Sequence, residues 1–235
     1  MQETMTTGDL RGYAICTAPR SGSAFLCQLL DSTGVLGRPY EFFNPEIKIL
    51  PGMADHPADP ASQLERIITR GATPNGVYGF KLFAAQADLA AKTRWPTVLP
   101  NLKCLRLIRR DTLGQALSLA RAHQTGQYRW NFELTGSAVY DREKIQSLLV
   151  RVVKIQARWE LYFARIGLQP LTLVYEDVVE RPQAAVDAIA ALMRVQGAVC
   201  DFSRVEIQIQ RDAVSAEWRQ RFLAEATDRD LIDQL

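Results

Sequence analysis

The sequence predicts an α/β fold with a central parallel sheet covered by helices on both faces. Short apolar runs of strand length recur along the chain, and segments of helical period separate them. The runs are too continuously apolar for a sheet with one wet face. The chain's 235 residues, 47% hydrophobic and 23% charged, are enough for one sizeable core, burying roughly 70% of the unfolded surface. One domain spanning 1–235 is therefore expected.

The elements follow in order. GYAICT, residues 12–17, reads as a buried strand, and residues 23–33 read as a helix joined to it by the polar turn APRSGS. GVYGFKLF (76–83) and LKCLRLIR (102–109) are further strands. A helix from Thr112 to about Ala122 places Leu113, Ala116, Leu117 and Ala120 on one face, with Asp111 as a plausible N-cap. Residues 142–166 give the longest amphipathic pattern, which Gly167 stops. LTLVYEDV (171–178) is the last strand, and Pro182 opens a helix over 182–195. Two stretches resist this reading. Residues 35–75 carry six prolines and only a short helical pattern at 61–70, and residues 123–141 are polar, glycine-punctuated and aromatic. Segments of this length shape a ligand site or a contact with a second copy, or are surface elaboration.

Bulk properties narrow the function. A net charge of +2 exerts no general pull on nucleic acid or membrane, and no apolar run approaches membrane-spanning length. The N-terminal residues lack an apolar signal core. The four cysteines, Cys16, Cys27, Cys104 and Cys200, lie far apart with no CxxC pair, so buried free thiols and a cytoplasmic setting are expected. No metal-ligand cluster is visible.

The chemistry concentrates at the first turn. Parallel sheets bind ligands beyond the carboxyl ends of their strands, where helix N-termini point outward. The N–H groups of Ser21 to Ala24 form a nest for anionic oxygens, and Ser21 and Ser23 add hydroxyls. Gly22 permits close approach, and Arg20 supplies a planar cation suited to phosphate or sulfate. An ordinary strand-to-helix turn capped by serine is the competing account. The Walker pattern GxxxxGK[ST] is absent, which argues against an ATP or GTP enzyme. A second cationic strand end, Arg109 and Arg110, precedes Ser118 on the following helix; Arg110 and Ser118 stand eight residues apart and reach one phosphate if the segment between them bends. Alternatively, Arg110 pairs with Asp111 or Glu176 at the surface.

TAPRSGSAFL, RPYEFFNP and RRDTLGQALSLARAHQTGQ, with LVYEDVVERPQAAVDAIAALM and the tail AVSAEWRQRFLAE, resemble the bacterial carbohydrate sulfotransferases of the trehalose 2-sulfotransferase type. The resemblance implies a P-loop-like three-layer fold. It also implies sulfuryl transfer from 3′-phosphoadenosine 5′-phosphosulfate (PAPS) to a hydroxyl of a carbohydrate or glycolipid, with PAP as product. By that resemblance Arg20, Ser21, Gly22, Ser23 and Ala24 hold the 5′-phosphosulfate, Arg110 and Ser118 hold the 3′-phosphate, and Tyr175 lies near the adenine. Arg20 stands where many eukaryotic relatives carry lysine, and Phe25 where they often carry tryptophan. Relatives form dimers, so a homodimer is expected here.

Sulfuryl transfer needs a base for the acceptor hydroxyl. The two histidines are poorly placed: His56 sits in the proline-rich segment, and His123 at a position that varies in the family. Where many eukaryotic sulfotransferases carry a histidine at a strand end, this chain has Phe83. The resemblance points instead to Glu41, flanked by Tyr40, Phe42 and Phe43, as the catalytic base, and to Lys81 as a contact of the transferred group. An exposed acidic loop and a structural lysine are the plainer alternatives. Tyr128, Trp130 and Phe132 suit sugar stacking or a dimer contact. The sequence also admits two other functions: a P-loop-type small-molecule kinase, and a non-catalytic nucleotide-binding regulatory protein.

Overall fold

A computed structural model of the chain describes residues 10–44, 59–128, 135–207 and 213–225. Four strands, β1 (Arg11–Thr17), β2 (Val77–Phe83), β3 (Leu102–Ile108) and β4 (Leu171–Val174), form a fully parallel sheet in the order β2-β1-β3-β4. The helices are α1 (Ser23–Ser32), α2 (Pro60–Gly71), α3 (Ala84–Ala90), α4 (Trp95–Val98) and α5 (Thr112–Thr125), followed by α6 (Arg142–Arg165), α7 (Tyr175–Glu180), α8 (Pro182–Leu192) and α9 (Ala213–Ala224).

Alternation along β1 divides the core. Tyr13 and Ile15 face α1 and α8, packing with Leu26, Leu30, Val186 and Ile189. Ala14 and Cys16 face the other way, toward α2 and α6, with Phe80, Ile67, Trp95 and Trp159. This is the three-layer arrangement expected of strands apolar on both faces. A third cluster joins α5, α6 and α9 through Leu117, Ile145, Leu148, Trp218 and Phe222. The central strand β1 therefore ends, at Thr17, in the middle of the sheet's carboxyl edge.

Some elements differ from the sequence reading. The last strand stops at Val174, and Tyr175 begins α7, whose first turn carries Glu176 and Asp177. Acidic residues favour a helix N-terminus. The Glu176 carboxylate also turns back to accept the Arg110 and Asp111 N–H groups at 3.0 and 3.1 Å. Helix α5 runs on through His123 to Thr125, ending at Gly126 with φ of 69°. Short α3 and α4 lack enough turns to show a period, and α9 buries only Trp218 and Phe222, one turn apart. In the proline-rich stretch, α2 occupies 60–71, and Tyr40 runs beside β2, bridging Phe80 and accepting the Lys81 N–H at 2.8 Å. His56, Trp130 and Phe132 lie outside the described residues. All four cysteines are buried, and none forms a disulfide. Among the described residues no helix is long and apolar enough to cross a membrane.

Candidate active site

The turn after β1 is held from behind by three other elements. Trp159 of α6 donates its Nε1–H to the Thr17 carbonyl at 2.8 Å, and Gln115 of α5 donates to the Pro19 carbonyl at 2.7 Å. Arg109, just after β3, donates to the Arg20 carbonyl at 3.3 Å. With these carbonyls tied inward, the backbone enters left-handed conformations at Arg20 (φ 60°) and Gly22 (φ 82°). No side chain caps α1, so the competing serine cap is not formed, and the first paired N–H is that of Leu26, to Gly22 O at 3.2 Å. An uncapped N-terminus of a ten-residue helix presents orphan donors and a positive dipole end.

Two details differ from the expected cradle. Thr17 spends its hydroxyl proton on the Leu107 carbonyl at 2.7 Å, so Ser21 Oγ, 2.7 Å away, is the donor between them. The Ser21 hydroxyl thus faces the core, and what Ser21 turns outward is backbone. The group that approaches Gly22 closely is the Tyr175 ring, into which a Cβ at position 22 would intrude. The Arg109 guanidinium lies over the same ring, 5.4 Å from its centroid.

Arg20 meets neutral partners only. It donates to Ser118 Oγ at 2.9 Å and to the Tyr128 carbonyl at 2.6 Å, and among the described residues it has no carboxylate partner. Burial, then the Arg109 and Arg121 cations, lower its pKa. Arg20 therefore carries a half-enclosed positive charge with no carboxylate of its own among the described residues, which is the condition an anion relieves, whereas Arg109 beside it lies 3.6 Å from the Asp111 carboxylate. Beside it, a cavity of about 400 Å³ is lined by Arg109, Ser118, Arg121, Tyr175, Ser215 and Arg219 among others. Ser118 thus joins the turn to this cavity. Arg110 does not meet Ser118 here: its guanidinium is 63% exposed and binds Asp177 at 3.1 and 3.3 Å. The sequence reading offered Asp111 or Glu176 as surface partners; Glu176 is instead taken by the two backbone N–H groups.

Glu41 and Lys81 come together. Lys81, in β2 opposite Ile15, holds Glu41 Oε1 at 2.6 Å, with both side chains under 10% exposed. Glu41 Oε2 accepts from Asn44 at 2.9 Å and from Gln86 of α3 at 3.4 Å. The plainer alternative of an exposed acidic loop does not hold, because Phe42 and Phe43 are buried and draw Glu41 in beside β2. His123 instead packs 6.0 Å from the Tyr128 ring; burial, then Arg151 and Lys144, lower its pKa.

Sequence reasoning missed Gln115, Trp159, Arg121 and Arg219. Arg121 was within reach, since positions 111, 114, 118, 121 and 125 form one helical stripe. Trp159 lies on α6 and Arg219 on α9, remote in sequence from the turn, and no local pattern links them to it.

A profile of the Stf0 sulphotransferase family matches residues 12–225. A trehalose 2-sulfotransferase of Mycobacterium tuberculosis is 27% identical over 262 residues, covering 92% of this chain and 96% of its own. One of Mycolicibacterium smegmatis is 25% identical over 261 residues, covering 91% and 95%. Among solved structures, a sulfotransferase from Alicyclobacillus acidocaldarius aligns over 91% of both chains with 18% identity and a TM-score of 0.49. The family match takes in the turn, the Glu41–Lys81 pair and the α5–α9 cavity, and the chain belongs to the Stf0 sulphotransferase family, enzymes of sulfuryl transfer.

Proposed function

We propose that the protein moves a sulfuryl group from PAPS to a hydroxyl of a carbohydrate or glycolipid and releases PAP. One observation carries the donor half: a guanidinium whose partners among the described residues are all neutral oxygens stands at an uncapped helix N-terminus, beside a cavity of nucleotide scale. The acceptor half rests on relatives named for trehalose, a sugar.

The acceptor oxygen attacks sulfur in line as the bond from sulfur to the bridging phosphate oxygen breaks. Charge building on the leaving phosphate is met by Arg20 and the N–H groups of Ser21 to Ala24. The acceptor proton passes to the Glu41 carboxylate, and Lys81 orients that carboxylate and meets the sulfuryl oxygens. Ser118 and Arg110 take the 3′-phosphate. Arg110 leaves Asp177 to do so, and an ion pair this exposed holds it by no more than about 1 kcal/mol. Tyr175 forms the adenine side of the pocket. A single domain working as a homodimer in the cytoplasm completes the reading, and four buried cysteines outside any disulfide suit a reducing compartment.

Incubation of the purified protein with radiolabelled PAPS and a panel of sugars, trehalose included, tests the proposal. Label on a sugar hydroxyl is expected. Hydrolysis of PAPS with no labelled sugar or glycolipid from a bacterial extract would exclude the acceptor class.

A further inference from the structure

Gln86 of α3 touches the Glu41–Lys81 pair, and the mechanism above gives it no part. It is buried and is the third residue of α3, where a side chain can reach back to the N–H just before the helix. Its Oε1 accepts the Phe83 N–H at 2.9 Å. Only the carbonyl oxygen of an amide accepts, so backbone fixes which way round the amide sits. Its NH2 group is turned the other way, onto Glu41 Oε2 at 3.4 Å. Asn44 donates to the same oxygen at 2.9 Å, and Lys81 of β2 holds Oε1 at 2.6 Å. The carboxylate is thus gripped by one cation and two neutral amides, each from a different segment.

Helix α3 is itself pinned. Its seven residues are too few to hold a helix unaided. Arg158 of α6 donates to the Ala84 carbonyl at 3.5 Å and pairs with Asp88, the one charged residue of α3. The next residue of α6, Trp159, donates to the Thr17 carbonyl at the end of β1. Consecutive side chains of one long helix therefore set where α3 stands relative to the first turn.

We propose that Gln86 is a positioning residue for the base: it fixes the orientation in which the Glu41 carboxylate takes the acceptor proton and, as a donor, favours the ionised form. The inference rests on the reading of Glu41 as the base and adds to it a residue and a helix. Substitution separates this role from helix capping. Gln86→Glu keeps an oxygen for the Phe83 N–H, since Glu serves this position as well as Gln, but turns a carboxylate toward Glu41. Gln86→Met fills similar space and removes both contacts.

The full-length protein is assayed across pH with labelled PAPS and trehalose. In parallel, the Glu41 carboxyl of the free protein is titrated by NMR with isotope-labelled glutamate, its signal identified by its absence from Glu41→Gln; this arm needs no acceptor. Gln86→Glu is expected to lose roughly tenfold to a hundredfold in kcat, with KM for PAPS changed less than about twofold. Its acid limb should move to higher pH, because adjacent carboxylates do not readily both ionise. In Gln86→Met the Glu41 signal should also titrate at higher pH than in wild type. Capping alone predicts a normal Gln86→Glu enzyme and a Gln86→Met protein that is less stable with an unmoved titration. Turnover by Gln86→Glu within about twofold of wild type, or an unmoved Glu41 titration in Gln86→Met, would overturn the proposal and leave the base reading standing. Near-normal turnover by Glu41→Gln would remove both.

Discussion

Glu41 and Lys81 are each less than a tenth exposed and lie 2.6 Å apart, and that pairing sets what mutation can show. If Glu41 is the base, Glu41→Gln lowers kcat by roughly 10²–10⁴, and the acid limb of the wild-type rate profile disappears. Gln retains an oxygen for Lys81 but not the charge, so part of the roughly 3–5 kcal/mol cost of breaking a buried pair should appear as lost stability. Glu41→Gln with Lys81→Met should recover that stability but not the turnover. Chemical denaturation and steady-state rates measured together separate the two effects. Near-normal turnover in a folded Glu41→Gln enzyme removes Glu41 from the mechanism. Gly22 makes a second test at this scale. Its φ of 82° and the Tyr175 ring against it leave no room for a methyl. Gly22→Ala should cost about 1–3 kcal/mol in backbone strain alone, and PAP binding should fall with it. Unchanged PAP affinity would mean that the turn does not hold the donor.

Helix α5 links the two halves of the site, since Gln115 holds the first turn and Ser118 reaches Arg20, while Asp111 caps the helix and binds Arg219. Burial pushes the Asp111 and Glu176 carboxyls up, but their donors outweigh it. Arg219 and the Gly114 N–H hold Asp111 below the usual carboxylate range, and the Arg110 and Asp111 N–H groups do the same for Glu176. A depressed folded-state pKa contributes stability above the unfolded value, about 4, and loses it as pH falls through the folded value. Thermal stability of wild type should therefore drop more steeply below about pH 4 than that of Asp111→Asn or Glu176→Gln. Parallel acid limbs in all three proteins would refute this account. His123 works in the same direction at higher pH: its pKa is lowered, so its contribution is lost as pH falls below about 6.5.

For the whole molecule, donor binding should register as stability. PAP at a hundred times its Kd adds about 2.7 kcal/mol, which in a chain of this size raises Tm by roughly 5–10 °C. ATP, lacking the 3′-phosphate, should do much less. Equal shifts from the two nucleotides in a thermal melt would contradict a site built around two separate phosphates.

The sequence by itself determined the layers and the turn. Continuous apolar runs of strand length and stripes with a period near 3.6 encode the sheet and its helices locally, and PRSGS marks the proposed anion site because nest and cation are adjacent in the chain. The quoted motifs together also carried the family. The tertiary structure decided which side chains meet. Gln115 and Trp159 reach the turn from α5 and α6, and Arg219 reaches Asp111 across more than a hundred residues. Glu41 became a buried ion pair through a lysine forty positions away, on a strand beside it. Strand order and helix packing set such contacts, and neither is written in local periodicity. The same reason ended β4 at Val174: Glu176 is needed at the start of α5, a demand that its own segment does not reveal.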